Sequence, residues 1–335
     1  MVAPINSDLL VIGGGPAGTA AAITSARGGL SVTLLEAEPF PRHRPGETLH
    51  PGVAPLLTRL GAADSLESAG FLRHAGVWVE HSGKPEFQAY GVDESGPWLG
   101  YQACRTEFDS LLLDQARTCG VSILQPHRAL RVLREGRRIA GAETTAGTVH
   151  ATFTIDASGV SAWLARQLSL PHRQASRKLI AFYGYMRGNC PVRDAAPSFT
   201  YGANGWVWTA RVRPNLYHWT RLVTPSTLQR AGAPPEFAGL ESLGRSKGAD
   251  VTWRHLESSA GPGYFVAGDA ATVTDPSSSH GVLRAIMSGI LAGHLVLKNM
   301  FRNESAQALS AEYQQFLQSS FDFDWAHASK LFHLT

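Results

Sequence analysis

Gly13-Gly14-Gly15-Pro16-Ala17-Gly18 joins an apolar run, residues 9–12, to a helix-forming segment rich in small residues. A second apolar run then ends at Glu36. Glycines at positions 13, 15 and 18 allow a tight turn, a close approach of the backbone to a pyrophosphate, and close packing of the helix on the strand. The pattern therefore predicts a βαβ unit that binds a dinucleotide, with a strand at 8–13, a helix at 17–28 and a strand at 32–36.

The same unit predicts where parts of the dinucleotide lie. The pyrophosphate would meet the positive end of the helix, at Pro16 and Ala17. Glu36, followed by Ala37, is placed to accept both hydroxyls of an adenosine ribose, and an acidic residue there disfavours a 2′-phosphate.

Composition excludes several other classes of protein. The chain has 335 residues, 44% of them hydrophobic, and a net charge of +3 without long basic runs, so nucleic acid is a poor partner. Its apolar stretches fall short of the roughly 20 residues of a membrane span. The N-terminus lacks the pattern of a signal peptide, which predicts a cytoplasmic location. Three widely spaced cysteines, Cys104, Cys119 and Cys190, indicate reduced thiols and no metal site.

The middle of the chain has a different pattern. Aromatic strands at 179–186, 205–213 and 216–223 predict an antiparallel sheet, and short strands between 121 and 155 predict a β-meander. The fold class is therefore α/β: a Rossmann-like dinucleotide-binding domain, made of a parallel sheet plus the meander, with an inserted antiparallel substrate-binding sheet and C-terminal helices. The predicted domains are a discontinuous nucleotide domain (1–75, 98–170 and 255–303), a substrate-binding sheet domain (76–97 and 171–254) and a short C-terminal helical tail (304–335).

Three signatures in order carry a resemblance to a family. They are the glycine motif with Glu36, then Asp156-Ala157-Ser158-Gly159, then Gly268-Asp269-Ala270-Ala271 followed by Asp275-Pro276. Together they resemble the FAD-dependent monooxygenases of the para-hydroxybenzoate hydroxylase superfamily. Residues 44–49 and the Trp206-Val207-Trp208 segment resemble its branch of tryptophan halogenases, geranylgeranyl reductases and LodB-like flavoproteins that modify tryptophan side chains; residues 275–282 resemble the last group most.

The resemblance implies that the nucleotide domain binds FAD. It implies that Asp269 bonds a ribityl hydroxyl, that the amides of Gly281 and Val282 stabilise charge on the flavin, and that Arg105 reaches the diphosphate or ribityl chain. Asp156 is expected on the FAD side, with a turn residue as the alternative. The whole expected cofactor-binding set is Gly13, Gly15, Pro16, Ala17, Gly18, Glu36, Ala37, Arg44, Glu47, Thr48, Arg105, Asp156, Gly268, Asp269, Pro276, Gly281 and Val282.

Members of the branch differ at two positions. Tryptophan halogenases carry a catalytic lysine after the Gly-Glu motif and a glutamate after Asp-Pro; here Arg73 and Ser278 are expected there, which ranks halogenation lower. A prenyl-chain reductase needs an apolar tunnel, whereas the predicted sheet carries many tyrosines, arginines and histidines. That mixture favours a flat aromatic or peptide substrate.

The predicted activity is oxidation of an aromatic ring. His50 and His280 follow motifs that flank the flavin, so either is a candidate general base. Trp206 and Trp208 lie on one strand face, either as core or as an aromatic wall; Trp208 is also a catalytic candidate, and Tyr185 and Arg73 are further substrate candidates.

The sequence thus predicts an FAD-dependent monooxygenase that hydroxylates an indole or tryptophan residue, free or in a peptide or protein. O2 is the co-substrate, and electrons come from NAD(P)H directly or through a separate flavin reductase. The alternatives are a tryptophan halogenase, a prenyl-chain reductase and a non-catalytic FAD-holding scaffold.

Overall fold

A computed structural model describes residues 3–45, 48–81, 83–202, 205–224 and 232–331. The expected cofactor residue Glu47 lies outside these ranges, and so does the side chain of Ser278. Seven α-helices occur in the described ranges: α1 Pro16–Arg27, α2 Val53–Leu60, α3 Ala63–Ser68, α4 Arg105–Thr118, α5 Trp163–Leu168, α6 Gly281–Arg302 and α7 Ala306–Leu331.

The strands are mostly short. The first thirteen are β1 Ile5–Ile12, β2 Val32–Leu35, β3 Thr48–Leu49, β4 Leu72–His74, β5 Gly76–His81, β6 Lys84–Ala89, β7 Val92–Asp93, β8 Gly96–Pro97, β9 Gly100–Gln102, β10 Ser122–Leu124, β11 Ala129–Glu135, β12 Arg138–Thr144 and β13 Gly147–Asp156. The remainder are β14 His172–Gln174, β15 Ile180–Arg187, β16 Ser198–Gly202, β17 Gly205–Arg213, β18 Leu216–Val223, β19 Glu241–Ser242, β20 Lys247–Asp250, β21 Arg254–Leu256, β22 Ala260–Gly261, β23 Tyr264–Val266 and β24 Thr272–Val273.

The nucleotide sheet has the order β10-β2-β1-β13-β12-β11, and β23 pairs with β13. Strands β10, β2, β1, β13 and β23 run parallel, and β12 and β11 add an antiparallel meander. Leu9, Leu10 and Val11 of β1 are fully buried, because helices or loops cover both faces of a central parallel strand. The predicted α/β class, with a parallel sheet, a meander and antiparallel strands elsewhere, is confirmed.

The second large sheet, here called the substrate sheet, has the order β19-β15-β18-β17-β16-β5-β6, and β20 also pairs with β15. Its pairs are antiparallel except for β16 with β5. Since side chains alternate between faces, one face carries Phe199, Trp206, Trp208, His218 and Tyr185. This aromatic face is the one that the sequence predicted as a substrate surface.

Helices α1 and α6 pack at very short range. A Cβ on Gly289 would overlap the carbonyl oxygen of Ala17, and one on Gly293 would lie 3.0 Å from the carbonyl oxygen of Ala21. The α6 helix is the one described helix that is long and apolar enough to cross a membrane, but half of its most apolar stretch is buried inside the protein. This packing accounts for its apolar character.

The last helix is longer and more buried than expected. The sequence predicts a helix at 307–319 and a short tail, whereas α7 extends to Leu331. Leu309 and Tyr313 are buried in the same hydrophobic cluster as α1 and α6, and Phe321 is buried with Trp206 and Trp208. The helix therefore contacts the cores of both halves of the molecule.

Candidate active site

The glycine motif leaves one side of the turn open. Gly13 has φ of +108°, and a Cβ on Gly13 or Gly18 would overlap the backbone, so both positions require glycine. A Cβ on Gly15 would meet only the guanidinium of Arg42, 3.3 Å from Nη2. The backbone before α1 is thus exposed to a ligand at Gly15, as the dinucleotide motif predicts.

Arg42 is the cation at this turn. Its side chain is 11% exposed, and its Nη2 lies 3.5 Å from Oδ2 of Asp109 and 3.8 Å from Oε2 of Glu36. Its buried Nε has no hydrogen-bond partner among the described residues, and burial lowers the pKa of its guanidinium. A buried, incompletely bonded guanidinium beside an open helix N-terminus favours an anionic ligand there.

Two buried carboxylates hold this region in place. Oε2 of Glu36 accepts the amide of Gly14 at 2.7 Å, and Oε1 accepts the amide of Glu38 at 2.8 Å. Asp109, 1% exposed, accepts Nε of Arg105 at 2.7 Å as well as facing Arg42. Each Glu36 oxygen keeps acceptor capacity for a ribose hydroxyl. Asp109 was missed by the sequence analysis, since an acidic residue inside a helix carries no motif.

The Gly268-Asp269 turn lies between the beginnings of α1 and α6. A Cβ on Gly268 would stand 3.0 Å from Cβ of Ala17 and 3.7 Å from Cβ of Ala285. The side chain of Asp269 is exposed, yet desolvation by the surrounding protein raises the pKa of its carboxyl, against the charge of Arg105. The structure thus brings the glycine motif and the Gly-Asp turn together.

The beginning of α6 is open as well. Apart from its chain neighbours and the helix's own backbone, no described atom lies within 4 Å of the place where a Cβ of Gly281 would stand, and the first turn of α6, which includes Val282, has no acidic residue. The preceding turn, Pro276–Ser278, begins at Asp275. The positive end of α6 can therefore approach a ring with developing negative charge.

Two expected cofactor residues have other partners. Asp156 accepts the amides of Ser158 at 3.0 Å and Leu164 at 2.7 Å, so the geometry favours the turn role that the sequence left as an alternative. Arg44 pairs with Glu38 at 2.9 Å, with both side chains well exposed. In this loop Arg42, not Arg44, contacts the glycine motif.

Three histidines lie near the small sheet β3-β9-β4. The rings of His50 and His280 have centroids 5.1 Å apart, and both His50 and His74 contact the ring of Tyr90. Burial lowers the pKa of His50, and the neighbouring His280 lowers it further. The structure thus brings together the two candidate bases of the sequence analysis.

Arg73, the residue expected at the position of the halogenases' lysine, lies away from the three histidines. Along β4 the side chains alternate, so Arg73 points outward, where it pairs with Glu67 at 2.8 Å and lies over the ring of Tyr101. His74 points inward and is 4% exposed; it contacts the carbonyl of Gly76 and the side-chain amide of Gln102. Thr48, an expected cofactor residue, donates to the same Gln102 at 3.0 Å.

Trp206 links the substrate sheet to the Asp-Pro turn. Its Nε1 donates to Oδ1 of Asp275 at 3.0 Å, and both residues are 2% exposed. Burial raises the pKa of the Asp275 carboxyl. Trp208 is 5% exposed and lies in the core cluster with Phe199, so the packing alternative is favoured over a catalytic role.

Tyr185 belongs to an aromatic group on the same face. Its ring stacks on His218 with centroids 4.6 Å apart and meets His43 edge-on at 5.7 Å. His43 comes from the loop that also carries Arg42. The loop after β2 therefore contacts the substrate sheet as well as the glycine motif.

These observations fit FAD. Gly15, Arg42 and the beginning of α1 would hold the diphosphate, Glu36 the adenosine ribose, Asp269 the ribityl chain and the beginning of α6 the flavin ring. These donors match an anionic dinucleotide. The amides at the beginnings of α1 and α6 are positively polarised, and the guanidinium of Arg42 is a cation with a hydrogen-bond donor that no described residue uses. The fold and this site define a flavin-dependent oxidoreductase.

Comparison with known proteins gives the family. Residues 8–174 match the family described as FAD dependent oxidoreductase. The chain is 31% identical to tryptophan 2-halogenase of Chondromyces crocatus, over 97% of this chain and 67% of that protein. It therefore spans about two thirds of the length of that relative.

Two solved structures share the fold. The chondrochloren halogenase CndH superposes with a TM-score of 0.85 at 27% identity, covering 92% of this chain and 78% of the other. A geranylgeranyl bacteriochlorophyll reductase-like protein of Thermoplasma acidophilum gives 0.84 at 23%, covering 98% and 88%. The chain belongs to the FAD-dependent oxidoreductases, in the branch that holds the flavin-dependent halogenases, and FAD is its cofactor.

Proposed function

We propose that this enzyme uses reduced FAD, O2 and halide to halogenate an electron-rich aromatic ring, with an indole or tryptophan as the substrate class. The observation that carries the proposal is the 31% identity to a tryptophan 2-halogenase along nearly the whole chain. Halogenation ranked below hydroxylation in the sequence analysis because Arg73 and Ser278 were expected at the positions of the halogenases' lysine and glutamate. Arg73 pairs with Glu67 away from the histidines, and the side chain of Ser278 lies outside the described residues, so the identity along nearly the whole chain carries more weight here than these two positions.

The residues supply positioning and proton transfer. Bound FAD, once reduced, supplies the electrons that activate O2. Asp269 and the beginning of α6 would orient the flavin, and the aromatic face around Tyr185 would bind a flat ring. His50 and His280 would handle protons. We also propose that residues 1–75, 98–170 and 255–303 form the FAD domain and that 76–97 and 171–254 form the substrate domain.

A specific observation supports hydroxylation as the second candidate. The inward-facing residue of β4 is His74, whose ring contacts Tyr90, as the ring of His50 does. A histidine in place of the halogenases' lysine favours direct oxygen transfer over halide activation. The proposal has three further parts. The substrate includes a tryptophan within a peptide or protein, a flavin reductase is a partner, and the enzyme is cytoplasmic.

Mass spectrometry distinguishes the two reactions. The purified enzyme is incubated with FAD, a flavin reductase, NADH, O2 and either free tryptophan or tryptophan-containing peptides, with chloride, with bromide and without halide. Halogenation gives the chlorine or bromine isotope pattern only in the halide arms. A gain of about 16 mass units in every arm supports hydroxylation instead. Halide-independent oxidation alone would overturn the main proposal.

A further inference from the structure

A buried carboxylate from α7 reaches the beginning of α6. The side chain of Asp324 is 2% exposed, although the two residues before it, Asp322 and Phe323, are exposed. Its Oδ1 lies 3.3 Å from Nδ1 of His280 and accepts Nη2 of Arg284 at 2.6 Å. A buried carboxylate is costly unless it has such partners, so its position against an active-site imidazole requires explanation.

The contacts define the tautomer of His280. A carboxylate only accepts hydrogen bonds, so the proton of the neutral imidazole lies on Nδ1, toward Asp324. Nε2 of His280 then carries the lone pair. The opposite holds for His50, because its Nδ1 accepts the amide of Gly52 at 3.0 Å and its proton therefore lies on Nε2.

We propose that Asp324 is a positioning residue that fixes His280 as the proton acceptor of the active site, with His50 beside it as the proton donor. This inference deepens the proposed function and rests on it for the substrate. The two rings, 5.1 Å apart, present opposite hydrogen-bonding roles. The carboxylate holds the orientation of the acceptor and stabilises the imidazolium that forms, while Arg284 holds the carboxylate in place through its hydrogen bond.

The proton transfer is the same whether the electrophile delivers halogen or oxygen. A ring carbon of the substrate forms a bond to electrophilic halogen, or to oxygen in the second candidate reaction. The bond that joins this transferred atom to the oxygen of the oxidant breaks, and that oxygen leaves with the electron pair. The C–H bond of the ring carbon then breaks, the electron pair of that bond restores the aromatic ring, and the proton passes to Nε2 of His280. The electrophile derives from O2, reduced flavin and, for halogenation, halide.

The first test measures the wild-type holoenzyme. Nitrogen-15 NMR of the histidine rings, assigned with His280→Gln and His50→Gln, distinguishes protonated from unprotonated ring nitrogens. We expect neutral His280 with its proton on Nδ1 and neutral His50 with its proton on Nε2. A neutral His280 that carries its proton on Nε2 would overturn the proposal, whatever the enzyme's reaction is.

The second test measures turnover in Asp324→Asn. We expect product formation to fall about 100-fold, with FAD content and the oxidation of reduced flavin by O2 unchanged, so that flavin is consumed without product. The matched control is Glu312→Gln on the same helix, which pairs with Lys298 at the surface and should leave product formation unchanged. Full turnover in Asp324→Asn contradicts the proposal.

A double variant keeps the proposal testable if Asp324→Asn fails to fold. Removing Asp324 alone leaves Arg284 buried beside a neutral amide, so Asp324→Asn with Arg284→Gln removes both charges together. It should bind FAD and still show the 100-fold loss; normal turnover would overturn the proposal. If no aromatic substrate gives any product with wild-type enzyme, the proposed function fails, while the NMR measurement still decides the tautomer.

Discussion

At the scale of single residues, the guanidinium of Arg42 lies between an open turn and two carboxylates. In Arg42→Met the diphosphate would lose one charge-assisted hydrogen bond of about 1.5–3 kcal/mol. We expect FAD affinity to fall about 10- to 100-fold, measured by fluorescence titration of the apoprotein. The control is Arg44→Met, whose partner Glu38 is exposed. Equal losses in the two variants would remove Arg42 from the diphosphate site.

The buried carboxyl of Asp275 predicts how the stability of the protein depends on pH. Burial raises the pKa of the Asp275 carboxyl in the folded protein above its value in the unfolded chain. The contribution of the protonated carboxyl to the free energy of unfolding is therefore fully present below the unfolded pKa, and it is lost as the pH rises through the folded pKa. Asp275→Asn keeps an acceptor for Trp206 and Ser277 but does not titrate. We expect its free energy of unfolding, relative to wild type, to rise with pH by about 1.4 kcal/mol per unit of pKa shift. Urea unfolding of both apoproteins from pH 3 to 7 tests this; a difference independent of pH contradicts it.

Single residues also mark where sequence reasoning stops. Gly13, Gly18 and Glu36 could be predicted, because local backbone geometry dictates them. The choice between Arg42 and Arg44 could not, since it depends on how a proline-rich loop folds back on the turn. Asp324 carries no motif, and its contact with His280 spans 44 residues of sequence. Whether Arg73 or His74 faces inward depends on the register of a three-residue strand.

At the scale of elements, the contact between α1 and α6 is set by glycine. In Gly289→Ala the new methyl would overlap the carbonyl of Ala17, which separates the two helices and costs about 1–3 kcal/mol. Gly293→Ala is the graded control, because its methyl would lie 3.0 Å from Ser25 Oγ and Ala21 O. The free energy of unfolding, measured in urea, should be lower for Gly289→Ala than for Gly293→Ala and for wild type. The reverse order would mean that Gly289 is not the point of closest approach.

The substrate sheet gives a second test at this scale. Trp208 packs in its core, so Trp208→Ala should lower the free energy of unfolding by about 3–5 kcal/mol, measured by urea unfolding. Trp78→Ala, on the opposite face and 37% exposed, is the control and should cost less. If Trp208→Ala unfolds like wild type yet loses product formation, Trp208 has the catalytic role that the sequence suggested.

The bounds of an element could be predicted well where its apolar and aromatic residues follow a clear periodicity. The aromatic strands β15, β17 and β18 were expected within a residue or two, because their periodicity is strong. The length of α7 was underestimated. Its sequence has a weak apolar periodicity, and its buried positions are set by two different cores.

At the scale of the whole molecule, α7 contacts both halves. Tyr313 is fully buried, and its hydroxyl donates to the carbonyl oxygen of Val266 in the nucleotide sheet at 2.9 Å. Tyr313→Ala should cost about 3–5 kcal/mol of unfolding free energy, and Phe323→Ala, 55% exposed on the same helix, less than about 0.5 kcal/mol. Thermal unfolding of both variants tests this; similar melting temperatures would mean that α7 adds little to the core.

The place of Asp324 along the chain has a consequence during protein synthesis. The ribosome produces the glycine motif first, both sheets next and Asp324 only after all of them. A nascent chain that ends before this residue contains every group proposed to hold FAD, but it lacks the carboxylate that orients His280. On the proposed proton step, a chain can therefore bind cofactor while still being translated and gains turnover only when α7 has been made and has docked.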